Sequence, residues 1–122
     1  INRYLKGVFV ADYKKGTLLI WYPNLADPDH IPLKETSGTS FFIYGLAYGI
    51  NTGVLDKNEY LPVVDKAWKS VCDAVSKEGK VQWGQKVGDR PIMHKKEDSH
   101  EYISGIFLLA ASEIYKLQYR SP

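Results

Sequence analysis

The densest chemistry in the chain lies in one turn, Lys34-Glu35-Thr36-Ser37-Gly38-Thr39-Ser40. It combines a carboxylate with four hydroxyls. Thr36, Ser37 and Thr39 can each take up one of the orphan N–H groups that open a helix, so the turn reads as a helix start. A second pair of carboxylates, Asp98 and Glu101, stands three apart. That spacing resembles a capping box with Asp in place of Ser or Thr, and suits capping better than an opposed acid and base. His30, His94, His100 and Cys72 show no metal-ligand spacing. Ser37 sits in Thr36-Ser37-Gly38, whereas a nucleophile elbow needs Gly-x-Ser-x-Gly after a strand. The glycines near Gly84 and Gly88 make no phosphate-binding loop.

The elements that must hold these groups follow from apolar spacing. From Phe41 to Ile50 runs a stretch of ten uncharged, almost wholly apolar residues, so the predicted helix over 36–51 is apolar all round. Ten residues fall far short of the roughly 20 that cross a bilayer, which leaves a protein interior. Gly45 and Gly49 stand four apart and form one bare ridge, which predicts close approach of a neighbouring helix. Thr52-Gly53 ends the helix.

A second helix is predicted over 62–76, with Pro62 at its first position. Val63, Val64, Ala67, Trp68, Val71, Cys72 and Val75 give it one apolar face, and charged and hydroxyl residues fill the other. A third helix, over 99–118, is again surrounded by apolar groups from Tyr102 to Ala111. Between the last two lies an irregular stretch, Val81 to Glu97, long enough to be functional or mobile.

Residues 1–22 read less clearly. Tyr4, Leu5, Val8 and Phe9 fit a helical face, Lys14 to Thr17 a turn, and Leu18 to Tyr22 a short extended segment. Prolines, Asn24 and two aspartates make a loop from Pro23 to Pro32.

Composition sets outer bounds. At 122 residues, 44% apolar and 25% charged, the chain is one domain or a piece of one. Its net charge of +2, without a basic stripe, gives no support to a nucleic-acid partner. Neither a transmembrane segment nor a signal peptide is visible, and a single cysteine excludes an internal disulfide. The compartment stays open between cytoplasm and periplasm. The chain begins at Ile1 and reads as a processed or partial product. Buried, amphipathic, buried: this alternation of helices fits concentric rings, as in an (α/α) barrel, with an ordinary helical bundle as the plain alternative.

The segment from Lys34 to Asn51 resembles the Glu-Thr-Ser-Gly-Thr region of the unsaturated rhamnogalacturonyl hydrolases, glycoside hydrolase family 105, related to the family 88 unsaturated glucuronyl hydrolases. The resemblance continues through Gly53 to Asp56 and Tyr60 to Trp68, resumes at Val87-Gly88-Asp89-Arg90-Pro91, and ends with Tyr102 to Leu117. It implies an all-α chain, the C-terminal portion of an (α/α)6 barrel. It also implies hydrolysis of oligosaccharides ending in a Δ4,5-unsaturated uronic acid, by protonation and hydration of the enol-ether double bond. An aspartate does this without metal or organic cofactor, and no position here matches it, so the chain alone is expected to be inactive.

By the same resemblance, Glu35, Thr36, Ser37 and Gly38 lie at an inner-helix mouth, where hydroxyls and N–H groups suit sugar hydroxyls or a uronate carboxylate. Trp21, Trp83 and His94 sit where they border that cleft, and Gly105 gives close packing as the barrel closes. Capping and core packing are the structural alternatives for all of these. A non-catalytic remnant of the barrel that binds sugar or protein is the alternative function. Two helices apolar all round further predict that the chain self-associates or joins the remainder of a barrel.

Overall fold

The computed structural model describes residues 10–11, 20–27 and 29–119. The helical face from Tyr4 to Phe9 and the turn from Lys14 to Thr17 lie outside the described residues, as do Leu18 and Leu19. A short strand β1 (Val10–Ala11) pairs antiparallel with β2 (Ile20–Trp21), Val10 opposite Trp21. Three helices follow: α1 (Thr36–Asn51), α2 (Lys57–Asp73) and α3 (Glu101–Tyr119).

Helix α1 is the centre of the packing and contacts both α2 and α3. Ile43, Leu46, Ala47 and Ile50 form its buried side, meeting Val64, Ala67 and Val71 of α2 and Ala110 and Ile114 of α3. An aromatic pair, Trp68 on α2 and Phe107 on α3, stacks at 5.1 Å and joins those two helices directly. Trp21 is buried in the same core beside Phe42, with ring centroids 5.0 Å apart. Its backbone N–H donates to Thr39 Oγ1 (3.1 Å), which fastens β2 to the first turn of α1.

The helix ends correct the sequence reading in three places. Glu35 caps α1, in extended conformation, and none of the hydroxyls expected there does so. Helix α2 begins at Lys57, five residues before Pro62, because Asp56 accepts from the N–H of Glu59 (2.9 Å). Asp56 and Glu59 have capping-box spacing, and that signal outweighs the proline. Pro62 forfeits one hydrogen bond, to the carbonyl of Asn58, an exposed residue with access to water. Asp98 is not a cap for α3: its carboxylate accepts from Lys95 N–H (2.9 Å), while the His100 carbonyl receives Ile103 N–H at the helix start.

The glycine ridge also differs from expectation. A Cβ on Gly49 would meet the Leu55 side chain at 2.7 Å, so the close neighbour is the following turn, not a helix. Gly45 and Gly105 face open space among the described residues. They belong to two uncovered apolar stripes. On α1, Phe41 (54% exposed), Gly45 and Tyr48 (51% exposed) share one face. On α3, Gly105, Leu108, Tyr115 and Tyr119 share another. Among the described residues α1 and α3 are each buried on one side and bare on the other. Among the described residues no helix is long and apolar enough to cross a membrane.

Candidate active-site cleft

At the N-terminal end of α1 a carboxylate gathers the chain around itself. Glu35 is only 5% exposed. Its Oε1 accepts from Ser37 N–H (2.9 Å), Ser37 Oγ (2.6 Å) and Gln85 N–H (3.3 Å), and its Oε2 from Gly38 N–H (2.7 Å). A carboxylate has lone pairs for all four, and its charge suits the positive end of the helix dipole. The Thr36 and Thr39 hydroxyls are thereby released for other tasks. Thr36 Oγ1 donates to the Gln82 carbonyl (2.7 Å), and Thr39 Oγ1 to the carbonyl of Glu35 (2.6 Å).

The stretch from Val81 to Glu97 is held firmly against this helix tip. Trp83 adopts positive φ (62°), its carbonyl accepts from Thr36 N–H, and its N–H donates to the Lys96 carbonyl. Gly84 passes so close to α3 that a Cβ there would lie 1.9 Å from Ile103 Cδ1. The buried His94 donates from Nε2 to the Lys34 carbonyl (2.5 Å) and meets Trp83 edge-on at 6.4 Å. Lys34 Nζ lies 5.7 Å from the centroid of the Trp83 ring. Trp83 and His94 thus act as a clasp between the segment and α1.

Beside this clasp opens a cleft of about 540 Å³. Ser37 and Phe41 of α1, Tyr102 of α3, Pro23 and residues 85–91 line it. The Tyr102 hydroxyl donates to the Gln85 carbonyl. Burial holds its phenol above the ordinary range; the Glu35 charge adds to this, while a hydrogen bond with Ser37 opposes it. Lys86 and Arg90 bring positive charge to the cleft, Arg90 beside Asp89 at 3.7 Å on the exposed surface.

Of the residues expected at the mouth, then, only Ser37 borders the main cleft. Glu35, Thr36 and Gly38 stand behind it, and His94 borders a smaller cavity of about 250 Å³ with Asp98 and His100. Trp83 lines neither of these two cavities. Trp21, expected at the rim, is in the core because β2 pairs with β1 and packs on α1. Asp98 and Glu101 border different cavities. The sequence presents Tyr102 only as an apolar position. Its place in the first turn of a helix starting at the same rim as α1 was the available signal. Among the described residues no three of His, Cys, Asp or Glu could hold a metal ion.

Comparison with known proteins gives this cleft a setting. An unsaturated 3S-rhamnoglycuronyl hydrolase of Alteromonas sp. (strain LOR) is 44% identical over 113 residues, covering 93% of this chain and 27% of its own. The protein of that name from Formosa agariphila is 37% identical over 99 residues, covering 81% of this chain and 26% of its own. Among solved structures, a glycosyl hydrolase family 88 protein from Bacteroides vulgatus superposes with a TM-score of 0.75 at 36% identity, over 84% of this chain and 30% of that one. A protein described as a polysaccharide lyase superposes with a TM-score of 0.82 at 33% identity, over 99% of this chain and 34% of that one. The chain therefore spans about a quarter of the length of these curated relatives, and its three helices are the C-terminal portion of an (α/α)6 barrel. The model of Glycosyl Hydrolase Family 88 matches residues 3–118, and the chain belongs to that family.

Proposed function

We propose that this chain is part of a glycoside hydrolase that removes a Δ4,5-unsaturated uronic acid from the non-reducing end of a pectin-type, rhamnose-containing oligosaccharide. Protonation of the enol-ether double bond and addition of water give a hemiketal, which opens and releases the neighbouring sugar. The aspartate that moves the proton lies outside residues 1–122, and this chain supplies one wall of the cleft. Ser37 touches the sugar there. Glu35, Thr36, Gly38, Trp83 and His94 set its position from behind.

The observation that carries this reading is the cleft itself, which is incomplete on one side. Phe41 lines it and also begins the bare stripe on α1. Whatever covers that stripe adjoins the cleft. We assign this role to the remainder of the barrel. When residues 1–122 are produced alone, self-association covers the same stripes. A compact monomer with polar surface in sedimentation would contradict this.

The test of activity uses the complete polypeptide that carries these residues and an unsaturated uronyl-rhamnose disaccharide. Loss of the ultraviolet band of the enol ether is expected as the double bond is hydrated. No loss on any unsaturated uronide would refute the hydrolase reading and favour a sugar- or protein-binding barrel remnant.

A further inference from the structure

The tip of α1 looks like an anion site, yet its donors are already committed. Thr36 N–H is taken by the Trp83 carbonyl, and the N–H groups of Ser37 and Gly38 by Glu35. A carboxylate arriving there would find no free backbone donor among them, and would meet the charge of Glu35 directly behind Ser37.

The two hydroxyls on the cleft wall are committed in the same sense. Ser37 has one proton, which goes to Glu35 Oε1 at 2.6 Å or to the Tyr102 oxygen it also bonds, and in either case none is left for a ligand. Tyr102 spends its only proton on the Gln85 carbonyl, and a carbonyl can only accept. What each oxygen has left is lone pairs.

We propose that Ser37 and Tyr102 form an acceptor-only wall that takes hydrogen bonds from hydroxyls of the sugar beside the uronate and turns the uronate carboxylate away from the α1 tip. The cations that line the cleft, Lys86 and Arg90, stand on the exposed 85–91 segment, and the acidic group is left to that side. The wall thus makes Ser37 and Tyr102 specificity-determining residues for the sugar beside the uronate. This inference rests on the reading of the cleft as a sugar site.

The experiment needs no turnover. A saturated uronyl-rhamnose disaccharide, its monodeoxy-rhamnose counterparts and its uronamide are titrated calorimetrically into the complete polypeptide. Removal of the hydroxyl that faces the wall is expected to weaken binding about five- to tenfold, the worth of one net hydrogen bond. Ser37→Ala and Tyr102→Phe should each weaken the parent disaccharide by a similar factor, yet cause no further loss for the matching deoxy ligand. Tyr102→Phe keeps the ring and carries the test if Ser37→Ala does not fold.

Three results overturn the proposal: no binding of the parent, equal binding of all deoxy ligands, or a variant that erases the difference between uronate and uronamide. The last would place the anion on the wall. Hydrolysis without the deoxy pattern sinks this inference and spares the hydrolase reading; the deoxy pattern without hydrolysis does the reverse.

Discussion

A buried carboxylate stands near each end of helix α1, one of them on α3, and the two differ in what they hold. Glu35, at the N-terminal end, is bound by the backbone N–H groups of Ser37, Gly38 and Gln85 and by the Ser37 hydroxyl. Glu113 of α3, 4% exposed at the other end, accepts from Asn51 Nδ2 (2.8 Å) and from Lys116 Nζ (2.5 Å). Both of those partners sit on long or exposed side chains that can turn to water. The first carboxylate organises backbone and borders a cleft; the second joins two helix surfaces and lines none of the cavities described above. Burial of a charge does not by itself mark a site. A cleft beside it, and partners that cannot move, give it a role in positioning.

The largest expected effect tests that contrast. Glu35→Ala leaves three backbone donors unpaired, one buried and two part-buried, and should cost about 3–5 kcal/mol in urea denaturation of the complete polypeptide. Next comes Gly84→Ala at the same end. Its methyl would strike Ile103, and overpacking of this kind costs about 1–3 kcal/mol. Pairing it with Ile103→Val should recover part of the loss. Glu113→Ala, whose partners can rehydrate, should cost only about 1–2 kcal/mol. A loss equal to that of Glu35→Ala would erase the distinction between the two ends.

Smaller effects sharpen the picture within the mouth. Ser40 is fully buried on α1 and its hydroxyl has no hydrogen-bond partner among the described residues, in contrast to Ser37. Ser40→Ala should therefore change stability by less than about 0.5 kcal/mol, or raise it. The smallest effect is on pH dependence. With its phenol pKa raised above the ordinary 10.0, Tyr102 keeps its proton in the folded chain at a pH where the unfolded chain has lost it. Its contribution to stability is present below pH 10 and is lost as pH rises through the folded value. Tyr102→Phe should accordingly flatten the alkaline limb of stability against pH; an unchanged limb would show that the phenol is not buried as described.

The contrast between the two ends also explains what could be read from the sequence. The helix cores follow from local periodicity, and so does the apolar character of α1 and α3. The mouth does not. Its bonds join Thr36 to Gln82, Glu35 to Gln85 and Lys34 to His94, 46, 50 and 60 residues apart. No local pattern in Val81 to Glu97 encodes contacts at that range, so an ordered clasp reads as an irregular loop. Glu35 does not stand out from its neighbours as the cap, because Ser and Thr are the usual ones. The ridge of Gly45 and Gly49 signals close packing without revealing what packs: Gly49 meets Leu55 of the following turn, and Gly45 faces open space among the described residues.

One structure would test the central claim most directly: the complete polypeptide with an unsaturated uronyl-rhamnose disaccharide bound. The account predicts the sugar beside the uronate in the cleft, with a hydroxyl within about 2.6–3.2 Å of Ser37 Oγ or Tyr102 Oη. A disaccharide seated elsewhere, with both oxygens still facing water, would contradict it.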